Sequence, residues 1–475
     1  MKSPLRTLAT LALLILTLPA CTLGPDYHRP VMETPLGFKA EGSWQESAPR
    51  DEQSRGLWWA VFNDPALNEL EQKASTANLE VQAAVARFDQ ARALLGVSRA
   101  EFLPRVDLNA SGQRSKISLS QFGIDSSGPS SFITNYYNIP LDLSYEIDLW
   151  GRVRRSVEAA SADADGSLAA LEAIRLTLQG EVARSYFALR TVDAQSALLQ
   201  RNIDLRRQSL NLVTSLFDNG QIGELDVARA RAELAATEAE QAGLQESRSK
   251  LENALAVLAG QNPSTFNLAV APLDVRAPAV APGLPASLLE RRPDVAAAER
   301  SMAAANARIG VAKTAFFPAI RLTGNAGFSS SETADLLNWD NRTWGLGPSL
   351  SLPIFSGGRN RANLQRSKAV YEEAVANYRQ QVLVAFRDVE DALSALTALK
   401  KQEEAQQRSL QAALRASDLS DKRYRAGLVS YLEVVDSQRT ALQSERLVTD
   451  ILGRQLQTTV TLIKSLGGGW EEAAL

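Results

Sequence analysis

The sequence predicts a mainly α-helical, internally duplicated chain in which each half carries two β-strands of membrane-spanning length. Residues 91–108 match residues 305–322 at an offset of 214 residues, which indicates the duplication. Four short segments alternate apolar and polar residues, the period of a strand with two different faces. No proline interrupts residues 141–262 or 354–475, so long uninterrupted helices are expected there.

The repeat fixes which positions of the two halves correspond. Pro104 matches Pro318 at the offset of 214, whereas from Gly151 onward the offset is 207 residues. That second offset holds without a gap to Gly260, which matches Gly467. The difference in length therefore falls between residues 104 and 151, in a Ser- and Gly-rich stretch typical of a surface loop.

The repeat and the composition predict the organisation of the chain. The expected segments are a signal peptide (1–20), an N-terminal extension that carries a lipid (21–64), a first repeat (65–260), a linker (261–290), a second repeat (291–467) and a C-terminal tail (468–475). Strands are expected at about residues 104–114, 138–148, 318–328 and 344–354.

The alternating segments have one apolar and one polar face. In "IPLDLSYEI", Leu141 and Leu143 share a face with the other apolar residues, and Asp142 lies on the opposite one. Such strands suit a barrel with lipid outside and water inside, each crossing the hydrocarbon in about 9–11 residues. A soluble sandwich is the alternative. Because single-chain barrels of this kind need at least about eight strands, a chain with four must combine with other copies, two to four in number.

The first residues resemble a bacterial lipoprotein signal. Lys2 and Arg6 precede an apolar run at residues 8–18, which is too short to cross a bilayer as a helix. The run ends in "LPAC", and Cys21 is the one cysteine of the chain. We expect Cys21 to carry a covalent lipid, an S-diacylglycerol and an N-palmitoyl group, and to begin the mature protein. An ordinary secretory signal with a chance cysteine is the alternative.

The composition excludes most kinds of catalytic and metal site. The chain has 475 residues, a net charge of −3, one cysteine and one histidine, His28, which lies in a Pro-rich stretch. Neither a Ser-His triad nor a His/Cys zinc cluster is expected from this set. We expect no enzyme activity, no metal, no cofactor apart from the lipid, and no nucleic acid as a partner.

Two glycine turns stand at matching places in the repeat. "FDNGQIGELDVARARAEL" turns at Gly220 and "YRAGLVSYLEVVDSQRTAL" turns at Gly427, each before a helical pattern. The second copy has Glu433 and Asp436 on one helix face, where the first copy has Asp226 and Arg229. Arg439, three residues after Asp436, is expected to pair with it. On the residues alone, this is a solvated helix face.

Seven segments together resemble the TolC family of bacterial outer-membrane factors, in its lipoprotein branch that serves RND-type efflux pumps. They cover nearly the whole chain in order: "GPDYHRP", "WWAVFNDPALNEL", "YEIDLWGRVRRS", "LPASLLERRPDVAAAE", "AFFPAIRLTG", "LPIFSGGRNRA" and "YRAGLVSYLEVVDSQRTAL". The resemblance implies a homotrimer with four strands per chain in a 12-stranded outer-membrane β-barrel. That barrel continues into a long periplasmic α-helical barrel with a mixed equatorial belt.

The same resemblance implies a function and a location. The chain would be the outer-membrane exit channel of a tripartite efflux system. It would pass drugs or other small toxic compounds from an RND-type inner-membrane pump, with a periplasmic adaptor as the third component. It would be lipid-anchored in the outer membrane and extend into the periplasm. The alternatives are a lipid-anchored coiled-coil scaffold or adaptor without a pore, and a lipoprotein enzyme.

The resemblance also assigns roles to residues near the glycine turns. Leu432 and Asp436 would line a periplasmic gate, with Glu433 as a second acid and Arg439 beside them. Tyr424 would help to latch neighbouring coils. The turns at Gly220 and Gly427 would contact the adaptor.

Lipidation of Cys21 is directly testable. Replacing Cys21 by Ser removes the thiol that carries the lipid, so incorporation of labelled palmitate into the protein should be abolished. Each buried methylene of a lipid chain contributes about 0.8 kcal/mol to membrane binding. Cys21→Ser should therefore also weaken retention of the protein in the membrane. Palmitate labelling that persists in the variant would show that the assignment is wrong.

Overall fold

The structure is a computed structural model that describes residues 22–30, 32, 37–39, 56–118, 131–278, 280 and 292–468. Cys21, the predicted signal peptide and most of the predicted tail lie outside the described residues. The chain divides into two compact units. The first comprises Met1–Pro30, Phe88–Ser167 and Ala298–Tyr378, and the second comprises Val31–Arg87, Leu168–Ala297 and Arg379–Leu475.

Helices predominate in the described residues. The helices are α1 (Pro65–Ala77), α2 (Leu79–Ala100), α3 (Arg152–Asp218), α4 (Glu224–Leu258), α5 (Pro293–Thr314), α6 (Arg359–Arg425) and α7 (Tyr431–Ser465). The strands are β1 (Arg105–Leu108), β2 (Ser111–Ser118), β3 (Ser131–Ile147), β4 (Ala319–Ser330) and β5 (Arg342–Ser351). Among the described helices, none has the length and apolar character that crossing a membrane requires.

The duplication predicted from the sequence is confirmed in the lengths of the helices. Helices α3 and α6 have 67 residues each, and α4 and α7 have 35 each. Helices α2 and α5 have 22 residues each. Helices α6 and α7 begin 207 residues after α3 and α4, respectively, so the register runs through both hairpins without a gap. The expected uninterrupted helices are therefore present in both halves.

The strands differ from the prediction at their boundaries. The segment predicted at about 104–114 is divided into β1 and β2, and both pair antiparallel with β3 in one continuous register. The break lies opposite Pro140, which has no N–H to give to the ladder. Strand β3 begins at Ser131 rather than at about 138, because its first residues extend the pairing with β2. Strand β5 ends at Ser351, two residues before Pro353.

The sheet of the first unit has one apolar and one polar face, as the alternation predicts. Its order is β1–β3–β4–β5, with β2 also on β3. Residues directly opposite one another share a face, so each register row has one character. One row is Leu108, Leu141, Ala326 and Trp344, and the next is Asp107, Asp142, Asn325 and Gly345. Trp344 is 79% exposed, so no described part of the chain covers the apolar face there.

The core of the second unit forms around the start of α1. Asp64 is the N-cap of α1 and accepts hydrogen bonds from the backbone N–H groups of Ala66 and Leu67, at 2.9 and 3.2 Å. Its other carboxylate oxygen accepts a hydrogen bond from the Tyr186 hydroxyl at 2.6 Å. Phe62 packs against Phe187 nearby, with the two rings tilted at 56°. One carboxylate thus fixes both the start of α1 and its position on α3.

Charged side chains hold the extended chain that follows α4. Arg248 donates to the carbonyl oxygen of Leu268 at 2.5 Å, and Arg190 donates to that of Ala269 at 2.7 Å. Both arginines also pair with Asp193, at 2.8 and 3.0 Å, and the Asp193 side chain is only 1% exposed. A buried carboxylate needs such partners, because charge burial without them is costly. The three side chains form one cluster that binds backbone atoms of this segment.

Helices α3 and α7 approach each other closely at Gly453. A Cβ at this position would overlap the Thr191 hydroxyl and come within 2.8 Å of Thr191 Cγ2. Gly453→Ala should therefore destabilise the protein by about 1–3 kcal/mol, the usual cost of overpacking. Gly243→Ala is the matched control, because a Cβ there has no atom within 4 Å. It should gain about 1 kcal/mol from helix propensity. Denaturant unfolding of both variants in detergent measures the difference, and equal effects would contradict the close approach.

Candidate functional site

The two glycine turns close the helical hairpins in the same way. Helix α3 ends at Asp218, and the N–H groups of Gly220 and Gln221 bond back to the carbonyls of Phe217 and Leu216, at 2.8 and 2.9 Å. The turn after α6 makes the same two bonds at the corresponding residues of the second repeat. Gly220 has φ of 72° and Gly427 has φ of 71°, the left-handed conformation that this helix ending requires of the residue after the cap. The tips of the two hairpins are thus built alike.

An apolar cluster joins the two hairpins beside these turns. We call it the tip cluster; its buried members are Val213, Val227, Ala230, Tyr431, Val434 and Val435. The first three come from α3 and α4, and the last three from the first turn and a half of α7. Tyr424 packs at its edge with its ring 5.6 Å from that of Tyr431. Packing of the two hairpins therefore fixes which face of α7 points away from the chain.

The predicted gate residues lie on that outward face. Leu432, Glu433 and Asp436 are exposed on the side of α7 opposite the tip cluster, and Leu432 is 49% exposed. Among the described residues, neither acid makes an ion pair. The structure thus brings an apolar side chain and two carboxylates together on one uncovered surface. Their role in a gate stays a prediction.

Tyr424 is placed differently from these three. Its hydroxyl is buried, and it has no hydrogen-bond partner among the described residues. Burial, and then the nearby Asp226 carboxylate, raises the pKa of the Tyr424 hydroxyl. The Tyr424 hydroxyl therefore stays protonated beside Asp226 of the first hairpin. The latching role that the resemblance implies for Tyr424 stays a prediction.

The expected pair between Arg439 and Asp436 is wrong. Arg439 instead donates a hydrogen bond to Glu233 of the other hairpin. Glu233 is also paired with Arg206, at 2.8 Å, and its side chain is 10% exposed. Arg206 donates further to the Thr237 hydroxyl at 2.6 Å. Helix packing brings Glu233 closer to Arg439 than Asp436 is, although Asp436 is nearer in sequence. Spacing along α7 alone therefore pointed to the wrong partner.

Two ion pairs with the same spacing connect α4 to α7. Glu233 pairs with Arg439, and Glu240 pairs with Arg446 at 2.8 Å. In each helix the two residues are one heptad apart, the spacing at which packed helices repeat their contacts. The sequence analysis missed Glu233, Arg206 and Glu240. The shared heptad spacing of the two acids and the two arginines was the signal that identifies them.

The first hairpin carries a different charge pattern at its tip. Arg229 stands where the second hairpin has Asp436, and it pairs with Asp226 at 3.4 Å. The charges at the corresponding positions of the two tips therefore differ in sign.

Within the described part of the chain there is no group of three His, Cys, Asp or Glu residues able to hold a metal ion.

Comparison with known proteins identifies the class to which this chain belongs. A model described as "Outer membrane efflux protein" matches residues 70–261 and 284–468. The chain is 33% identical to the outer membrane protein OprJ of Pseudomonas aeruginosa over 463 residues, covering 97% of this chain and 95% of OprJ. It is 35% identical over 466 residues to TtgI of Pseudomonas putida, a toluene efflux pump outer membrane protein, covering 96% of this chain and 97% of TtgI.

A solved structure gives the same result. The open state of the MtrE outer membrane channel of Neisseria gonorrhoeae superposes with a TM-score of 0.83 at 33% identity, covering 94% of this chain and 98% of that one. The chain belongs to the outer membrane efflux protein family. The predicted relationship to TolC-type channels, the fold class of those trimeric channels and the efflux function are confirmed. The chain is a transport protein of the outer membrane.

The ion pairs between α4 and α7 predict unequal effects of two similar substitutions. Glu233→Gln leaves the buried Arg206 guanidinium without its counter-charge, so it should destabilise the protein by about 3 kcal/mol or more. Glu240 is 51% exposed, so Glu240→Gln should cost about 1 kcal/mol or less. Thermal unfolding and amide hydrogen exchange of α4 compare the two. Equal losses, or faster exchange only in Glu240→Gln, would contradict the central position of Glu233.

Proposed function

We propose that three copies of this chain form the gated outer-membrane duct of a tripartite efflux system. The observation that carries the proposal is the sheet with an apolar face and a polar face, in a chain that matches the family over nearly its full length. Among the described residues, the edge strands β1, β2 and β5 have one side unpaired, so neighbouring copies can continue the ladder. At least about eight strands are needed to close such a barrel. The number three rests on the resemblance.

The cargo that we propose is a broad range of drugs and other small toxic compounds. TtgI is named for toluene efflux and SrpC of Pseudomonas putida for solvent efflux. Those names describe the relatives, and for this chain they support small organic molecules as a class. The exit duct performs no bond chemistry on them, so we propose that the chain is not an enzyme.

The partners that we propose are a periplasmic adaptor and an RND-type inner-membrane pump. The tips at Gly220 and Gly427 have the same backbone geometry, so helical hairpins of one adaptor type can dock at both. Leu428 is 69% exposed beside the second turn and offers an apolar contact there. Nucleic acid is not among the partners, and lipid contacts the apolar face of the sheet.

Lipidation of Cys21 is part of the proposal. The residues that follow it are fixed on the first unit: Thr22 lies against Gly151, and the Leu23 N–H donates to the Trp150 carbonyl at 3.1 Å. Arg155 pairs with Asp26 at 2.7 Å. These contacts hold the chain directly after Cys21 at the end of β3, where the sheet meets α3. A lipid on Cys21 would start from that level and anchor the protein in the outer membrane, with α3 leading into the periplasm.

The gate that we propose consists of Leu432 and Asp436, with Glu433 as a second acid. Their exposed face on α7 points away from the tip cluster, so in a trimer three such faces can meet around one axis. Carboxylates brought together repel one another, and this repulsion can be relieved by bound cations or by opening. Arg439 contributes indirectly, because its bond to Glu233 holds α7 against the first hairpin.

The assembly itself is tested by mass measurement and conductance. Purified protein in detergent should have the mass of a trimer and should conduct ions in a planar bilayer once opened. Asp436→Ala combined with Leu432→Ala should raise conductance, weaken block by multivalent cations and admit large antibiotics into cells.

The control is another Leu–Asp pair on α7, further from the tip: Leu447 is exposed, and Asp450 is half-buried and pairs with Arg454 at 4.0 Å. Leu447→Ala with Asp450→Ala should leave conductance and antibiotic sensitivity at the parent level. A stable monomer without conductance would overturn the proposed function. Parent-like conductance, cation block and sensitivity in the Leu432/Asp436 variant of a conducting trimer would overturn only the gate.

A further inference from the structure

A small pocket lies in the second unit at the C-terminal end of α7, far along the helix from the tip cluster. Its volume is about 60 Å³. The lining residues come from α3, the start of α5, α6 and α7: Ala173, Leu176, Thr177, Arg292, Pro293, Asp294, Asp388, Lys464 and Ser465. One buried water needs about 10–15 Å³ of such space. The pocket therefore has room for a few waters or one small organic ion.

Arg292 is fully neutralised within this pocket. Its guanidinium pairs with Asp294 at 2.6 Å and with Asp388 at 3.3 Å, and it donates to the Ser465 carbonyl at 3.3 Å. Asp294 accepts from Gln381 at 2.7 Å, and Asp388 accepts from Arg387 at 2.7 Å. Both carboxylates are therefore already supplied with donors. They have little capacity left to neutralise another cation.

Lys464 is the charged residue of the pocket that has no ion-pair partner in the described part of the chain. No ion pair or hydrogen bond of its ammonium group exists among the described residues. The charged groups that act on it are Glu181, Arg184, Arg292 and Asp388, two of each sign. Burial, as the largest cause, lowers the pKa of Lys464. An ammonium group that is partly desolvated without a counter-ion is costly, and an anion beside it would recover that cost.

The position of the Lys464 side chain is defined by packing. Its stem crosses α3 at Gly180, where an added Cβ would lie 3.1 Å from Lys464 Cδ. Thr177, one turn earlier on α3, also lines the pocket. No hydrogen bond of the Thr177 hydroxyl is present among the residues that the structure describes. Two donors without acceptors, one charged and one neutral, thus border the same small space.

We propose that this pocket binds a small monocarboxylate, with the Lys464 ammonium and the Thr177 hydroxyl as its donors. The pocket volume admits a two- or three-carbon acid. The Asp294 and Asp388 carboxylates border the site, so a singly charged anion is favoured over phosphate or sulfate, which carry more charge. Bound there, the anion connects α3 to α7 and to the start of α5. It therefore stabilises the fold of the second unit.

The experiment measures acylation of individual lysines in the purified full-length protein in detergent. An amine-reactive ester is applied at constant ionic strength while sodium acetate replaces sodium chloride, and peptide mass spectrometry gives the rate at each lysine. Acetate should slow acylation of Lys464 at least several-fold and raise the pH at which its amine becomes reactive. Lys400, which is exposed on α6, is the control and should be unaffected. Phosphate and sulfate should protect less than acetate.

Variants separate binding from general salt effects. Acetate should raise the thermal unfolding midpoint of the parent but not that of Lys464→Met, while Lys400→Met should keep the parent's shift. If Lys464→Met fails to fold, Thr177→Val and Gly180→Ala keep the charge and should weaken acetate protection of Lys464. Three outcomes would overturn the proposal: equal protection by chloride and acetate, an acetate-dependent midpoint in Lys464→Met, or a Lys464 that never reacts because a neighbouring copy supplies its counter-ion. These three outcomes concern the pocket alone. The proposed channel function is tested separately, by conductance.

Discussion

Equal length of the two helical hairpins is the constraint on which the second unit depends. One inserted residue would turn the rest of a helix by about 100° and advance it by about 1.5 Å. Such a change in α7 would carry Tyr431 and Val434 out of the tip cluster and would separate Arg439 from Glu233. The two repeats accordingly differ in length in the sheet region and not in the hairpins. The number of residues is therefore fixed where a second hairpin lies alongside.

Most of the fold was predictable, because helices and glycine turns are local properties. The absence of proline and the supply of helix-forming residues predicted α3 and α6, and the left-handed Gly220 and Gly427 follow from helix termination. The break between β1 and β2 was not predictable in the same way. It depends on Pro140 of the partner strand, and the pairing of strands is not visible in either segment alone. The predicted domain limits stay predictions.

The candidate site was predictable only in part. The i, i+3 and i+4 spacing placed Leu432, Glu433 and Asp436 on one surface, and the structure has them there together. The partner of Arg439 was missed because ion pairs between helices depend on the packing of distant segments. Glu233 lies in the first hairpin, to which the resemblance assigned no gate residue, so the resemblance offered no reason to connect it with Arg439.

The cluster of two arginines and one aspartate on α3 and α4 has a consequence for the evolution of this sequence. Arg190 and Arg248 bind the carbonyl oxygens of Ala269 and Leu268, which every amino acid presents equally. The exposed side chain of Ala269 is therefore open to substitution while the path of the segment is kept, whereas Leu268 also packs against the core. Arg190, Asp193 and Arg248 have no such freedom, because both arginines pair with the buried Asp193 carboxylate. Substitutions should therefore accumulate at the exposed positions of this segment and spare the three side chains that bind its backbone.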